Sequence, residues 1–332
     1  MSHQHHSSIE SLSSILTFTT EDYSQLFDGG YSLSELVRDA QLLIATHRAA
    51  LDTVSDKYSL SKLLLGMMEH AIHAEGKCYV AVVLQIAAKE GADGLIRVAN
   101  AWMHHLFYPM MILFKREEAE PSQSQTLTLD HSTTNLIEST ARSCQKSLGE
   151  QVTLRERRRC AITGFLDASI ADGLTDQARV EILAQGPVHL AAMAAAHVLP
   201  FCFHNFKDSA PNDLSDAART WDMLKAWTGI ELEELVRDKI TTPENAILMT
   251  VAEHNLFQRE ADVQFATDTG IDPPDPTFIC IHAAFAKVLD LCGAAEYIEK
   301  LESDADRQMA SGVRTEKAFA ALLKNKLDIL AL

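Results

Sequence analysis

The sequence predicts an α+β protein that is predominantly α-helical. Three observations carry this. Apolar residues recur at helical spacing through most of the first hundred positions and again beyond residue 210. Only short segments have strand character: CAITG (160–164) as a strand and turn, and Ala246–Met249 as a short apolar strand. With 47% hydrophobic and 23% charged residues, the 332-residue chain has a globular composition. It is long enough for two domains or for one core with helical extensions.

The elements follow in order. Residues 1–30 carry an interrupted histidine cluster (His3, His5, His6) and are expected to be disordered. They have no apolar run after a charged start, so no signal peptide is expected. Ser32 and Glu35 have capping-box spacing, and Leu33, Leu36, Val37, Ala40, Leu43 and Ile44 repeat at helical period behind them. A second helix is predicted over Leu60–Ile72. Cys78–Gly91 reads as a helix or a strand, and its length and the Gly91 stop favour a helix.

Leu95–Phe114 is the most apolar segment. Arg97, Asn100, His104, His105 and Pro109 interrupt it, so it reads as a buried or partner-facing helix rather than a membrane span. The acidic, then Ser/Gln/Thr-rich segment 117–134 is expected to be a linker. One further helix is predicted over Asn135–Leu148.

Leu154 begins LRERRRCAITGF, in which Arg155, Arg157, Arg158 and Arg159 form the densest basic cluster. Such a run is either a solvated helix end or a phosphate-contacting patch, and spacing leaves both open. The alanine-rich run Ala191–Ala196 scores locally as helix. Leu214–Trp227 and Glu231–Ile240 read as amphipathic helices, followed by a break at Pro243, the Ala246–Met249 strand and a helix from about Val251.

The formal charge of −17 argues against a function that depends on broad attraction to phosphate backbones unless the cations are gathered locally. Six scattered cysteines without a CxxC pair fit reduced thiols in an intracellular, cytoplasmic or nuclear, compartment. One constellation suggests specific chemistry: His197 closing an apolar run, Asn245 opening a second, and His254 nine residues further on.

RRRCAITGF, AAHVLPF and ENAILMT followed by His254 together resemble the HNH endonuclease family, in the Ala-His branch found in fungal HNH-nuclease-domain proteins. ARTWDMLKAWTGIELEEL is similar to the helical insert of that branch, and IHAAFAKVLDLCGAAEYIEK to its helical tail. The likeness spans about Leu154 to Lys300. It implies a ββα-metal finger embedded between an N-terminal helical region and a C-terminal helical tail. The implied division is a helical region 31–116, an HNH-like domain 135–270 with a helical insert 212–240, and a helical extension 271–332.

The resemblance further implies a metal-dependent nuclease that hydrolyses phosphodiester bonds of DNA or RNA. His197 would be the general base, Asn245 would position its loop, and His254 would ligate one divalent ion (Mg²⁺, Mn²⁺ or Zn²⁺). Arg155, Arg157, Arg158 and Arg159 would hold the substrate backbone. The sequence departs from the family pattern at Ala196, where many members carry a metal ligand, and at Gln258, where the branch often has Asp. Glu253, Glu260 and Asp262 are candidate oxygen ligands. The departures motivate an alternative, a catalytically degenerate HNH scaffold that binds protein or nucleic acid. A third reading takes the N-terminal helices as a homo-oligomerisation or partner module, with Trp102–Phe114 as its contact.

Overall fold

The computed structural model describes residues 31–107, 110, 146–170, 189–199, 211–230, 239, 241–251, 265, 268–297 and 300. The expected disordered start, the 117–134 linker, the Glu231–Ile240 helix apart from Lys239, and the helix carrying His254 lie outside these residues. The chain divides into two compact units. One comprises Met1–Leu113, Asn205–Leu232 and Ala283–Leu332; the other comprises Phe114–His204 and Glu233–His282. The first part of the predicted insert, up to Leu232, and the tail from Ala283 thus fall in the unit of the N-terminal helices, and the rest of the insert falls in the other unit.

In the first unit, helix α1 (Leu33–Thr53) starts at the predicted capping box. Ser32 Oγ accepts from the Glu35 N–H at 3.3 Å, and the Glu35 carboxylate accepts from the Ser32 N–H at 2.9 Å. Leu36, Ala40, Ile44 and Leu51 make its buried stripe. Helix α2 (Leu60–Glu69) is capped by Ser59 and stops three residues before the predicted Ile72. The Cys78–Gly91 ambiguity is resolved as helix. Helix α3 (Ala74–Ala87) buries Tyr79 to Leu84 on all sides, which removes any amphipathic period from the sequence. A short 3₁₀ turn and Gly91, at φ 69°, end it.

Helix α4 (Ala92–Trp102) runs into a π-helical turn, Met103–Phe107. Trp102, Met103, Leu106, Phe107 and Met110 are all buried, so this part of the apolar segment is spent inside its own unit. Of the expected contact surface over Trp102–Phe114, these residues are internal, and 108, 109 and 111–114 lie outside the described residues. Phe107 meets Trp227 and Phe285 edge-on, with centroids 5.8 and 5.1 Å away. No described helix is long and apolar enough to cross a membrane.

The second unit holds helix α5 (146–155), strands β1 (Leu166–Asp167), β2 (Leu190–Ala191), β3 (Met193–His197) and β4 (Ala246–Thr250), and the start of helix α7 (Pro276–Cys292). Helix α6 (Pro211–Thr228), between β3 and β4 in sequence, belongs to the first unit. Strands β1 and β2 pair in parallel, while β3 and β4 form a separate antiparallel ribbon. The CAITG segment is mostly turn, bracketed by a bridge between Arg159 and Leu166.

The alanine run is a strand despite its helix propensity. Ala194, Ala195 and Ala196 lie opposite Met249, Leu248 and Ile247, so each small residue faces a large one. Burying Ile247, Leu248 and Met249 contributes about 1.5–3 kcal/mol each, whereas the propensity difference is below about 1 kcal/mol per residue. Tertiary burial wins. Met193 and Ala195 pack with Ala246 and Leu248 against Leu148 and Val152 of α5.

A Cβ added at Gly76 of α3 would lie 1.8 Å from the backbone oxygen of Trp227 in α6. Trp227 also donates from Nε1 to the Met67 carbonyl at 2.7 Å, so α6 cannot simply slide away. Gly76→Ala is expected to destabilise this unit by about 2 kcal/mol or more. Urea unfolding followed by tryptophan fluorescence measures it, since Trp102, Trp221 and Trp227 all lie in this unit.

Candidate functional site

His197 is the last residue of β3 and pairs in register with Ala246, the first residue of β4. It is 8% exposed. By strand alternation it shares a face with Met193 and Ala195, which pack toward α5. The two residues after it are held by Asn245, the residue just before β4. The Asn245 carbonyl accepts from the Val198 N–H at 2.9 Å. Its side chain closes a reciprocal pair with Leu199: Oδ1 accepts from the Leu199 N–H and Nδ2 donates to the Leu199 carbonyl, both at 2.8 Å. Asn245 is fully buried, and only a carboxamide both donates and accepts in this way.

His282 adds a second hold on the same loop. It is buried on the first half of α7 and donates from Nδ1 to the Val198 carbonyl at 3.1 Å. The sequence reading gave it no role. A signal was present: it falls on the buried stripe with Phe278 and Ile281, where an imidazole must find an acceptor.

The turn bearing Asn245 is a 3₁₀ turn, Pro243–Asn245, tied down from several directions. Glu244 accepts at its carbonyl from the Asp275 N–H at 2.8 Å. Lys239 Nζ lies 2.7 Å from both the Glu244 and Asp275 carboxylates. Those hydrogen bonds, to Asp275 first and Glu244 second, hold the Lys239 ammonium above the ordinary lysine range. Burial pushes the Asp275 carboxyl up, but hydrogen bonds from Lys239 and Thr277 outweigh it and leave the group below its usual range.

The arginine cluster is not one surface. Arg155 is fully buried, a correction to its expected role as a substrate contact. Its Nη1 donates to the carbonyls of Pro243 at 2.6 Å and Asp272 at 3.2 Å, and its Nη2 to that of Ala246 at 2.6 Å. Nε donates to Glu156 at 2.6 Å, and the guanidinium lies 5.8 Å from the centroid of the Phe265 ring. Four of its five N–H donors are spent on these partners, and the side chain has no solvent access through which a phosphate could reach it. Arg157 and Arg158 are exposed at a turn that ends α5 in the left-handed region, at φ 52° and 58°. Their N–H groups cap the Leu154 and Thr153 carbonyls at 3.1 and 2.8 Å. Arg157 pairs with Asp268, and Arg159 donates to the Gly164 carbonyl at 3.1 Å.

His197 and Asn245 are thus brought together, and Arg155 joins them from the inside. His254, and with it Glu253, Glu260 and Asp262, lies outside the described residues. Among the described residues no group of three His, Cys, Asp or Glu side chains is arranged to hold a metal ion, and Ala196 offers no ligand atom. No family model, curated protein or solved structure matches this chain.

Asn245→Ala would leave the Leu199 N–H and carbonyl buried without their partner, at about 1–3 kcal/mol per group. Hydrogen-exchange mass spectrometry is expected to show at least tenfold faster exchange, about 1.4 kcal/mol, in peptides covering β3 and the start of β4. Peptides from α1 to α3 are expected to keep their rates.

Proposed function

We propose that this chain is an HNH-type, metal-dependent nuclease that hydrolyses phosphodiester bonds of DNA or RNA. His197 is its general base and His254 a ligand of one divalent ion, Mg²⁺, Mn²⁺ or Zn²⁺. The observation that carries the reading is the grip of Asn245 on the loop that follows His197, across an antiparallel ribbon. This is the job that the resemblance assigns to the asparagine, and helix propensity over Ala191–Ala196 argued against the strand that makes it feasible.

Imidazole suits proton abstraction from water because its unperturbed pKa lies near neutrality. A base at a strand end needs a fixed orientation, and the clamps on Val198 and Leu199 supply one. The divalent ion would contribute positive charge where the phosphoryl and departing oxygens gather negative charge. Arg157, Arg158 and Arg159 remain the candidate contacts to the substrate backbone.

The test is incubation of the purified chain with plasmid DNA and with single-stranded RNA, with Mg²⁺, Mn²⁺, Zn²⁺ or a chelator. Metal-dependent cleavage is expected, abolished by chelator and reduced at least about 100-fold in His197→Ala. Cleavage that survives His197→Ala, or none with any metal, overturns the reading. A gel-mobility shift without cleavage would instead identify a binding scaffold.

A further inference from the structure

We propose that Arg155 is a positioning residue of this site: a buried cation that fixes the turn from which Asn245 grips the His197 loop. The inference rests on the nuclease reading for its kinetic test only. Arg155 Nη1 and Nη2 reach the carbonyls of Pro243 and Ala246, which lie on either side of Asn245 in the chain. The guanidinium thereby holds both ends of the segment whose middle residue carries the carboxamide. Its third carbonyl, Asp272, belongs to the stretch that leads into α7. That stretch meets the same turn again through the Asp275 N–H on Glu244, and α7 itself meets the loop after His197 through His282 on Val198. Arg155 therefore ties the backbone of the turn before β4 to the backbone of the approach to α7, where Lys239 joins the same two segments through their carboxylates.

The chemistry favours arginine for this task. A carbonyl has two lone pairs, and in this turn the Pro243 oxygen takes only the Ala246 N–H from the backbone, which leaves room for a side-chain donor. A planar fork with five N–H groups serves several at fixed angles, whereas an ammonium presents three donors on a flexible stem. The buried charge is costly, and Glu156 at 2.6 Å offsets it locally. The arrangement acts through Asn245, so its signature is a local loosening of the carboxamide and not a general loss of the unit.

The test uses the ¹⁵N-labelled full chain and Arg155→Lys, with the Asn245 side-chain amide assigned by its loss in Asn245→Asp. Asn245 Nδ2 and Leu199 amide protons are expected to exchange at least about tenfold faster in Arg155→Lys. The ladder amides of Ala195 and Leu248 are expected to stay within about twofold. In the unmodified chain, the Arg155 Nη protons should be resolved and exchange far more slowly than those of exposed Arg158. On plasmid, kcat should fall at least about tenfold with KM nearly constant.

Unchanged Asn245 protection in the variant overturns the proposal, as does rapid Nη exchange in the unmodified chain. Loss of the β3–β4 ladder along with the carboxamide, including outright unfolding, overturns it in favour of a purely structural arginine. A rise in KM at constant kcat overturns it in favour of a phosphate contact. A chain that cuts no nucleic acid defeats the nuclease reading alone, and the exchange measurements then decide the positioning role by themselves.

Discussion

Two hydrogen bonds from one carboxamide join the loop that follows β3 to the turn that precedes β4, and the geometry around His197 depends on them. The Asn245 side chain meets both backbone groups of Leu199 at 2.8 Å inside a site without solvent access. Aspartate could accept from the Leu199 N–H but would set its second oxygen against the carbonyl. Leucine would fill the space and satisfy neither group. A buried backbone pair without partners costs more than the net worth of the bonds themselves, so the identity of this residue is tightly constrained.

The clamp works because the turn that carries it is itself immobilised. Arg155 binds that turn from the α5 side, and the Lys239–Glu244–Asp275 cluster binds it from the approach to α7. The two supports differ in kind. The lysine cluster is partly exposed and gains little from Coulomb attraction that salt can screen. Arg155 is enclosed, so its bonds to backbone carbonyls carry geometry that water cannot compete for. The left-handed pair Arg157–Arg158 belongs to the same construction. It turns the chain out of α5 immediately after Arg155 has been committed inward, at a cost of about 1–2 kcal/mol per residue for non-glycine side chains.

Much of the helical framework was legible in the sequence. The Ser32 capping box, the stripe of α1 and the Gly91 stop followed local rules that tertiary contacts did not overturn. β4 was legible too, as a short apolar run after Pro243. β3 was not, because alanine's preference for helix is a property of the isolated chain, while its strand state depends on Ile247, Leu248 and Met249 fifty residues away. The inward direction of Arg155 was recoverable: Leu148, Val152 and Arg155 repeat at four and three residues, the period of one helix face. Reading 154–159 as the start of something new concealed that Arg155 still belongs to the preceding helix. Unit membership could not have been read at all, since nothing local in Pro211–Thr228 says that Trp227 will bond to Met67.

The fate of the arginines also alters the electrostatic argument. In the sequence, four clustered arginines stand as a local counterweight to a net charge of −17. One of the four is now internal and balanced by Glu156, and a second is paired with Asp268. The cationic surface left near the turn is carried mainly by Arg158 and Arg159, and Arg159 also spends a donor on Gly164. Each neutralised phosphate contributes its own increment to salt-sensitive affinity, so the two arginines left at this turn supply only a small non-specific term there. If the chain acts on nucleic acid, short-range complementarity beside His197 has to do the selecting, and that complementarity is what the Asn245 and Arg155 contacts keep rigid.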